Sequence, residues 1–318
     1  MENSRENRKK YRQMLFETKG LGQYISGCIL FEETLYEKKE DGTSFVELLS
    51  REGILTGIKV DKGQAPIMGA APNETSTEGL DGLAKRCQEY YKAGARFAKW
   101  RAVIVIDPAN GAPTQLAIDE QTRGLARYAS ICQENGLCPV VEPEVLMDGN
   151  HSIELSAAVT ERVWFSQIKA LYDHHLLLEG LLLKPNMVRS GADAPQQASM
   201  AEVAAYTLRT LQRTIPPAIP GVTFLSGGMS EEEATVALNE LNRAPGKRPW
   251  NLSFSYGRAL QATVLKVWKG QDDQWPAAQH ALMVRAKANS MAQFGKYDNS
   301  AANFGESAAS TYQKNYTY

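Results

Sequence analysis

The chain has 318 residues, 43% of them hydrophobic and 22% charged, with a formal net charge of −1. That length and apolar content suit a single α/β barrel with a full core, and the near-neutral balance gives a nucleic acid or other polyanion no basic surface to bind. No apolar run reaches the ~18 residues of a membrane span, the charged start Met1–Lys10 has no apolar signal region, and Cys28, Cys87, Cys132 and Cys138 form no C-x-x-C pair, so free or buried thiols in a reducing compartment are expected.

Residues 1–20 read as charged and helical. Apolar, β-branched runs then alternate with segments of helical period. Ser26–Phe31 reads as a strand, as do Gly57–Asp61, Ala95–Ile106, Leu137–Val145, Leu177–Lys184, Gly221–Gly228 and Asn251–Arg258. Between them lie the amphipathic segments Gly79–Ala93, Ile118–Asn135, Ile153–Asp173, Ala201–Thr214, Glu231–Asn242 and Ala259–Trp268. Buried strands interleaved with helices predict an α/β fold, a (β/α)8 TIM barrel in which seven of eight strands are identifiable. The barrel domain is assigned to residues 1–296. Residues 297–318, rich in Ala, Ser, Asn and Gly, read as a flexible tail. Ser230-Glu-Glu-Glu233 predicts a capping box at the start of the helix after GVTFLSGG.

Polar residues in core strands carry the chemical information. Alternate strand residues face a barrel's interior, and active sites lie at the C-terminal strand ends. Lys59 and Asp61, Lys99 and Arg101, and Glu142 and Glu144 are pairs two residues apart near such ends, and Lys184 closes an apolar strand before Pro185. Burying so many charges is costly unless they pair or bind substrate. Lys184 is the candidate nucleophile, because apolar neighbours and a second cation such as Lys99 lower an amine's pKa. Glu142 and Glu144 are candidates to move protons. Taken alone, a strand-end lysine reads as a surface salt-bridge partner. Ser226-Gly227-Gly228 and Gly257-Arg258 suggest a phosphate site after the last two strands, although SGG alone reads as a tight turn. Four histidines, His151, His174, His175 and His280, have no metal-site spacing, so a metal-dependent route is not expected.

The stretches ILFEETLY (29–36), GIKVDKG (57–63), GLDGLAKRCQEYYKAGARFAKWRAV (79–103), PVVEPEVLMDG (139–149), DHHLLLEGLLLKPNMV (173–188), PPAIPGVTFLSGGMSEEEA (216–234) and FSYGRALQ (254–261) closely resemble class I fructose-bisphosphate aldolases. The resemblance implies a lyase that reversibly cleaves fructose 1,6-bisphosphate to dihydroxyacetone phosphate and glyceraldehyde 3-phosphate, in glycolysis, gluconeogenesis or the Calvin cycle. It implies no cofactor. It makes Lys184 the Schiff-base lysine, Glu142 the acid–base residue with Glu144 beside it, and Lys99 the lysine next to the Schiff base. It makes Arg101 a phosphate-region arginine, places Lys59 near the distal phosphate, and sets Ser226, Gly227, Gly228, Ser255, Gly257 and Arg258 around the other. Tyr318 matches the C-terminal tyrosine that assists proton exchange, so the tail is expected to reach the active site. A sugar phosphate is the implied partner, a homotetramer the implied assembly, and cytoplasm or plastid stroma the implied compartment.

The family also carries some tens of residues ahead of this chain's start, with the first barrel strand and an A-D-E-S motif that does not occur here. A truncated gene model, a short isoform and a degenerate protein are the three readings of that difference. The intact remaining positions favour the first. On this expectation the barrel has an open seam, the chain shows little cleavage, and a catalytically impaired binding or scaffold protein is the alternative.

Overall fold

A computed structural model describes residues 2–298 and 309–314. In chain order the elements are α1 (Arg5–Phe16), β1 (Gly27–Leu30), α2 (Glu32–Leu35), α3 (Phe45–Arg51), β2 (Leu55–Lys59), β3 (Gln64–Pro66), β4 (Thr75–Thr77), α4 (Leu83–Lys92), β5 (Phe97–Ile104), α5 (Gln115–Glu134), β6 (Cys138–Val145), α6 (Ile153–Asp173), β7 (Leu182–Leu183), α7 (Met200–Thr214), β8 (Gly221–Phe224), α8 (Glu231–Arg243), β9 (Asn251–Phe254), α9 (Arg258–Trp268) and α10 (Trp275–Ala292).

Seven strands form one parallel sheet in the order β1-β2-β5-β6-β7-β8-β9, curled with helices on its outer face as in a TIM-type barrel. These are the seven strands expected. The edge strands β1 and β9 are not paired with each other. They line opposite sides of a cavity of about 440 Å³ that Lys59, Lys99 and Lys184 also line.

Strand alternation divides the chemistry. Ala98, Trp100 and Ala102 of β5 are fully buried under the helices, which sends Lys99 and Arg101 to the inner face. Trp100 stacks on Tyr128 of α5, with ring centroids 5.4 Å apart. The Tyr128 hydroxyl reaches the carbonyls of Ala98 (2.8 Å) and Val140 (3.0 Å), one on each of two paired strands. This buried phenol therefore fixes β5 against β6 from outside while their inner residues carry charge.

Several boundaries differ from the sequence expectation. Leu177–Lys184 yields only a two-residue strand, Leu182–Leu183, after a 3-10 turn at Leu178–Gly180. The Gln133 side chain supplies the reason: it bonds Leu177 O (2.8 Å), Gly180 O (3.3 Å) and Leu177 N (3.1 Å), satisfying backbone that would otherwise seek a ladder. The strands at 221 and 251 end at Phe224 and Phe254, and Arg258 begins α9. The helix expected from Gly79 starts at Leu83, because Gly79 (φ 121°) and Gly82 (φ 66°) hold left-handed conformations. The hairpin β3–β4, α3 and α10 have no counterpart in the sequence reading. The capping box at Ser230 and Glu233 is present. Most of the expected tail, residues 299–308 and 315–318, lies outside the described residues.

The loop leaving β7 is sewn to the loop leaving β6. Gly191 N donates to His151 O (2.9 Å), Ala192 N to Met147 O (2.6 Å) and Asp193 N to Gly149 O (2.9 Å). A Cβ on Gly191 would meet Gly149 O at 2.3 Å and His151 N at 3.0 Å, backbone on both sides. Gly191→Ala is therefore predicted to destabilise the fold by about 1–3 kcal/mol, read as a lower urea midpoint. An unchanged midpoint would show that the two loops are not held in this register.

Candidate active site

The inner face of the sheet carries a row of alternating charges. Lys59 Nζ lies 2.6 Å from Asp61 Oδ1, Asp61 Oδ2 lies 3.4 Å from Lys99 Nζ, Lys99 Nζ lies 3.3 Å from Glu142 Oε2, and Glu142 Oε1 lies 3.0 Å from Lys184 Nζ. Beside the row, Arg101 Nε donates to Glu144 Oε2 at 2.5 Å. Register explains the arrangement. Lys59 pairs with Lys99 across β2–β5, and Arg101 pairs with Glu142 across β5–β6. Lys99 and Arg101 therefore reach diagonally, to Glu142 and Glu144, whereas Lys184, one residue past the Val141–Leu183 pair, stands opposite Glu142.

Lys184 is 5% exposed, Glu142 1% and Lys99 3%. Burial pushes the Lys184 amine below its ordinary pKa. Glu142 opposes that shift and the Lys99 charge reinforces it. Burial alone would raise the Glu142 carboxyl, but Lys184, Lys99 and Arg101 together outweigh it and hold Glu142 below the usual carboxylate range. Its two oxygens are divided between the two ammonium groups, Oε1 toward Lys184 and Oε2 toward Lys99.

Lys184 lies one residue past β7, yet its backbone is clamped. Its N–H donates to Val141 O (2.8 Å), and the following Pro185 carbonyl accepts from Leu225 N (3.0 Å). Asn186 Oδ1 takes Val145 N (2.9 Å), tying the same loop to β6. Pro185 has no N–H to donate, which stops the ladder at the reactive side chain.

At the ends of β8 and β9, Ser226 is buried, and Gly227 (φ 56°) and Gly228 (φ 82°) turn through the left-handed region. Ser255 N donates to Phe224 O (2.8 Å), holding the next loop alongside. The described part of the C-terminal segment crosses these loops. Thr311 N donates to Gly228 O (3.2 Å), Arg258 Nη1 donates to Thr311 O (2.7 Å), and the Tyr312 hydroxyl donates to Asp148 Oδ1 (2.8 Å). Tyr318 lies outside the described residues.

The structure thus gathers Lys59, Lys99, Arg101, Glu142, Glu144 and Lys184 on one face, and Ser226, Gly227, Gly228, Ser255, Gly257 and Arg258 on neighbouring loops. Asp61, noticed in sequence only as a charge beside Lys59, is the carboxylate that joins Lys59 to Lys99. Its i, i+2 spacing from Lys59 was the available signal. Arg189 was missed altogether, and no periodicity marks it.

The family model for class-I fructose-bisphosphate aldolase matches residues 1–318. The chain is 58% identical over 318 residues to fructose-bisphosphate aldolase 1 of Toxoplasma gondii, covering all of this chain and 87% of that protein. It is 56% identical to the cytosolic fructose-bisphosphate aldolase 4 of Arabidopsis thaliana, over all of this chain and 80% of that one. A solved structure of the Plasmodium falciparum aldolase, in complex with TRAP and a small-molecule inhibitor, superposes with a TM-score of 0.92 at 58% identity, covering 94% of this chain and 86% of that one. With its parallel sheet turned around buried lysines and a match that runs its full length, the chain belongs to the class I fructose-bisphosphate aldolases, a family of lyases.

Proposed function

We propose that Lys184 forms a Schiff base with the C2 carbonyl of fructose 1,6-bisphosphate. The observation that carries this reading is a buried amine of lowered pKa, 3.0 Å from the Glu142 carboxylate. Lys184 passes its proton to Glu142, 3.0 Å away, and the neutral amine adds to C2, giving a carbinolamine. Glu142 protonates the departing hydroxyl, water leaves, and a protonated imine remains. The C3–C4 bond then breaks, its electrons flow into the imine, and the C4 hydroxyl passes its proton to the Glu142 carboxylate left by the dehydration, so glyceraldehyde 3-phosphate departs. The enamine takes a proton at C3, and hydrolysis frees dihydroxyacetone phosphate and the lysine. Tyr318 is assigned that C3 proton exchange on family likeness.

Lys59 and Arg101 are assigned to one phosphate. Ser226, Gly227, Gly228, Ser255, Gly257 and Arg258 are assigned to the other, because two left-handed glycines let backbone N–H groups approach an anion. Glu144 holds Arg101 in place at 2.5 Å. An intact charge row favours an enzyme over a binding scaffold, since such a row in a protein with no reaction would keep only its desolvation cost. The compartment is proposed as cytoplasm or plastid stroma, and the cytosolic name of the Arabidopsis relative supports the former. Homotetramer assembly is proposed on family grounds. Phe165 (64% exposed), Tyr172 (56%) and Leu177 (63%), on α6 or just past it, support a covered surface there.

Four outcomes test this reading. Borohydride reduction in the presence of dihydroxyacetone phosphate is expected to place a stable adduct on Lys184, located by peptide mass spectrometry and lost in Lys184→Met. An adduct on any other lysine, or none on the folded protein, would reject the assignment. The rate of trapping is expected to rise with pH through a midpoint below the free-lysine value of about 10.4. In Glu142→Gln the carboxylate that raises the Lys184 pKa is gone while Lys99 stays, so the midpoint moves further down and the plateau rate falls about 100-fold or more. An upward shift would contradict the pairing. Light scattering is expected to give four times the chain mass of 35.1 kDa, and a monomer mass would remove the tetramer.

A further inference from the structure

Arg189 lies on the loop leaving β7, five residues beyond Lys184. It lines a crevice with Glu144, Asn186, Ser226 and Gly227 at the C-terminal ends of β6, β7 and β8. The side chain is half-buried, but its Nη1 is fully enclosed and has no hydrogen-bond partner among the described residues. Burial works against its charge, and Glu233, the carboxylate whose field opposes that effect, is committed to Ser230 N at 2.8 Å. Glu144 is likewise held by Arg101. A guanidinium does not give up its proton to escape such a site, so the enclosed N–H keeps an unmet demand for an acceptor.

The size of the crevice narrows what that acceptor is. Its volume is about 10 Å³, room for roughly one water-sized atom. A whole phosphate does not fit, but a single phosphoryl oxygen does. The other wall is the Ser226–Gly227 turn, and Arg258 is tied to the next residue of that turn through Thr311, whose N–H donates to Gly228 O and whose carbonyl accepts from Arg258 Nη1. A phosphate resting on the glycine turn can therefore put one oxygen into the crevice while its others stay with the turn and Arg258.

We propose that Arg189 is a further substrate-binding residue, donating from Nη1 to one oxygen of the sugar phosphate held on the Ser226–Gly228 turn. The inference rests on the Schiff-base reading above. It adds to that reading a second guanidinium beside the turn, next to Ser226 and Gly227, so that ketoses carrying a phosphate at this end are favoured over those that do not.

The test is a titration of borohydride trapping on Lys184 with two ligands, dihydroxyacetone phosphate and unphosphorylated dihydroxyacetone, in the wild-type chain, Arg189→Gln and Arg189→Lys. A charged hydrogen bond lost to glutamine is expected to raise the half-saturating dihydroxyacetone phosphate concentration about tenfold or more. The value for dihydroxyacetone and the maximal trapping rate stay unchanged, and lysine restores only part of the loss. A purely structural arginine would instead shift both ligands together, and that result overturns the proposal, as does an unchanged titration with dihydroxyacetone phosphate. Should Arg189→Gln fail to fold, the folded Arg189→Lys variant decides: it keeps the charge but loses the guanidinium fork, so it must shift the phosphorylated ligand alone. If the wild-type chain itself traps nothing, the Schiff-base reading falls and this inference with it. If it traps normally and Arg189→Gln is indifferent, only the inference falls.

Discussion

Alternation of charge across four strands is the constraint on which the rest of the site depends. Lys59, Asp61, Lys99, Glu142 and Lys184 are each too buried to be carried singly. Removing one member of such a pair typically costs about 3–5 kcal/mol, because its neighbour is left charged and uncompensated. The row is therefore cooperative. The carboxylate of Glu142 is shared by two ammonium groups, at 3.0 and 3.3 Å, and what either lysine does is felt by the other through it. With Arg101 and Glu144 included, four cations stand against three carboxylates on this face. The arrangement is most nearly balanced when one lysine is neutral. Lys184, whose amine burial pushes down, is the member best placed to give up its proton. The electrostatics that make the row tolerable are thus also what makes it nucleophilic.

That row needs strands that do not slip. A shift of one residue would turn Lys99 and Arg101 outward under the helices and bring Trp100 into the interior. The register is guarded on the outer face by the Tyr128 hydroxyl, which spans Ala98 and Val140 carbonyls, and by the stack of Trp100 on the same ring. Beyond the strand ends, Asn186 and the Gly191–Gly149 contact carry the alignment into the loops. Apolar packing on one side of the sheet therefore sets the distances between charges on the other.

Much of this was legible in the sequence for one physical reason: a strand repeats every two residues, so charges at 59 and 61, 99 and 101, and 142 and 144 had to share a face if those segments were strands. What pairwise spacing could not reveal was which charge meets which. That depends on stagger between strands, and it is why Asp61 proved to be the link between two lysines rather than a bystander. The short β7 was illegible for a related reason. Gln133, more than forty residues upstream, takes the hydrogen bonds of Leu177 and Gly180, and no local propensity predicts a competitor so distant in the chain. Arg189 had no signal at all, since an isolated arginine after a strand is ordinary until its enclosure is known.

The division of labour between strands and loops follows from what each group must do. Bond making at Lys184 tolerates little positional error, and this residue is held by backbone hydrogen bonds to neighbouring strands on both sides, at Val141 and through Pro185 to Leu225. A phosphate is larger, more symmetric and multiply charged, and several donors can share it without any one being placed to a fraction of an ångström. Its candidate ligands accordingly lie on glycine turns and at the first residue of α9. The described C-terminal segment touches this second set through Gly228 and Arg258, with a further bond from Tyr312 to Asp148, and its hydrogen bonds do not reach the charge row. Contacts that form and break can then be confined to the anion-holding loops, while the reacting amine keeps one geometry throughout.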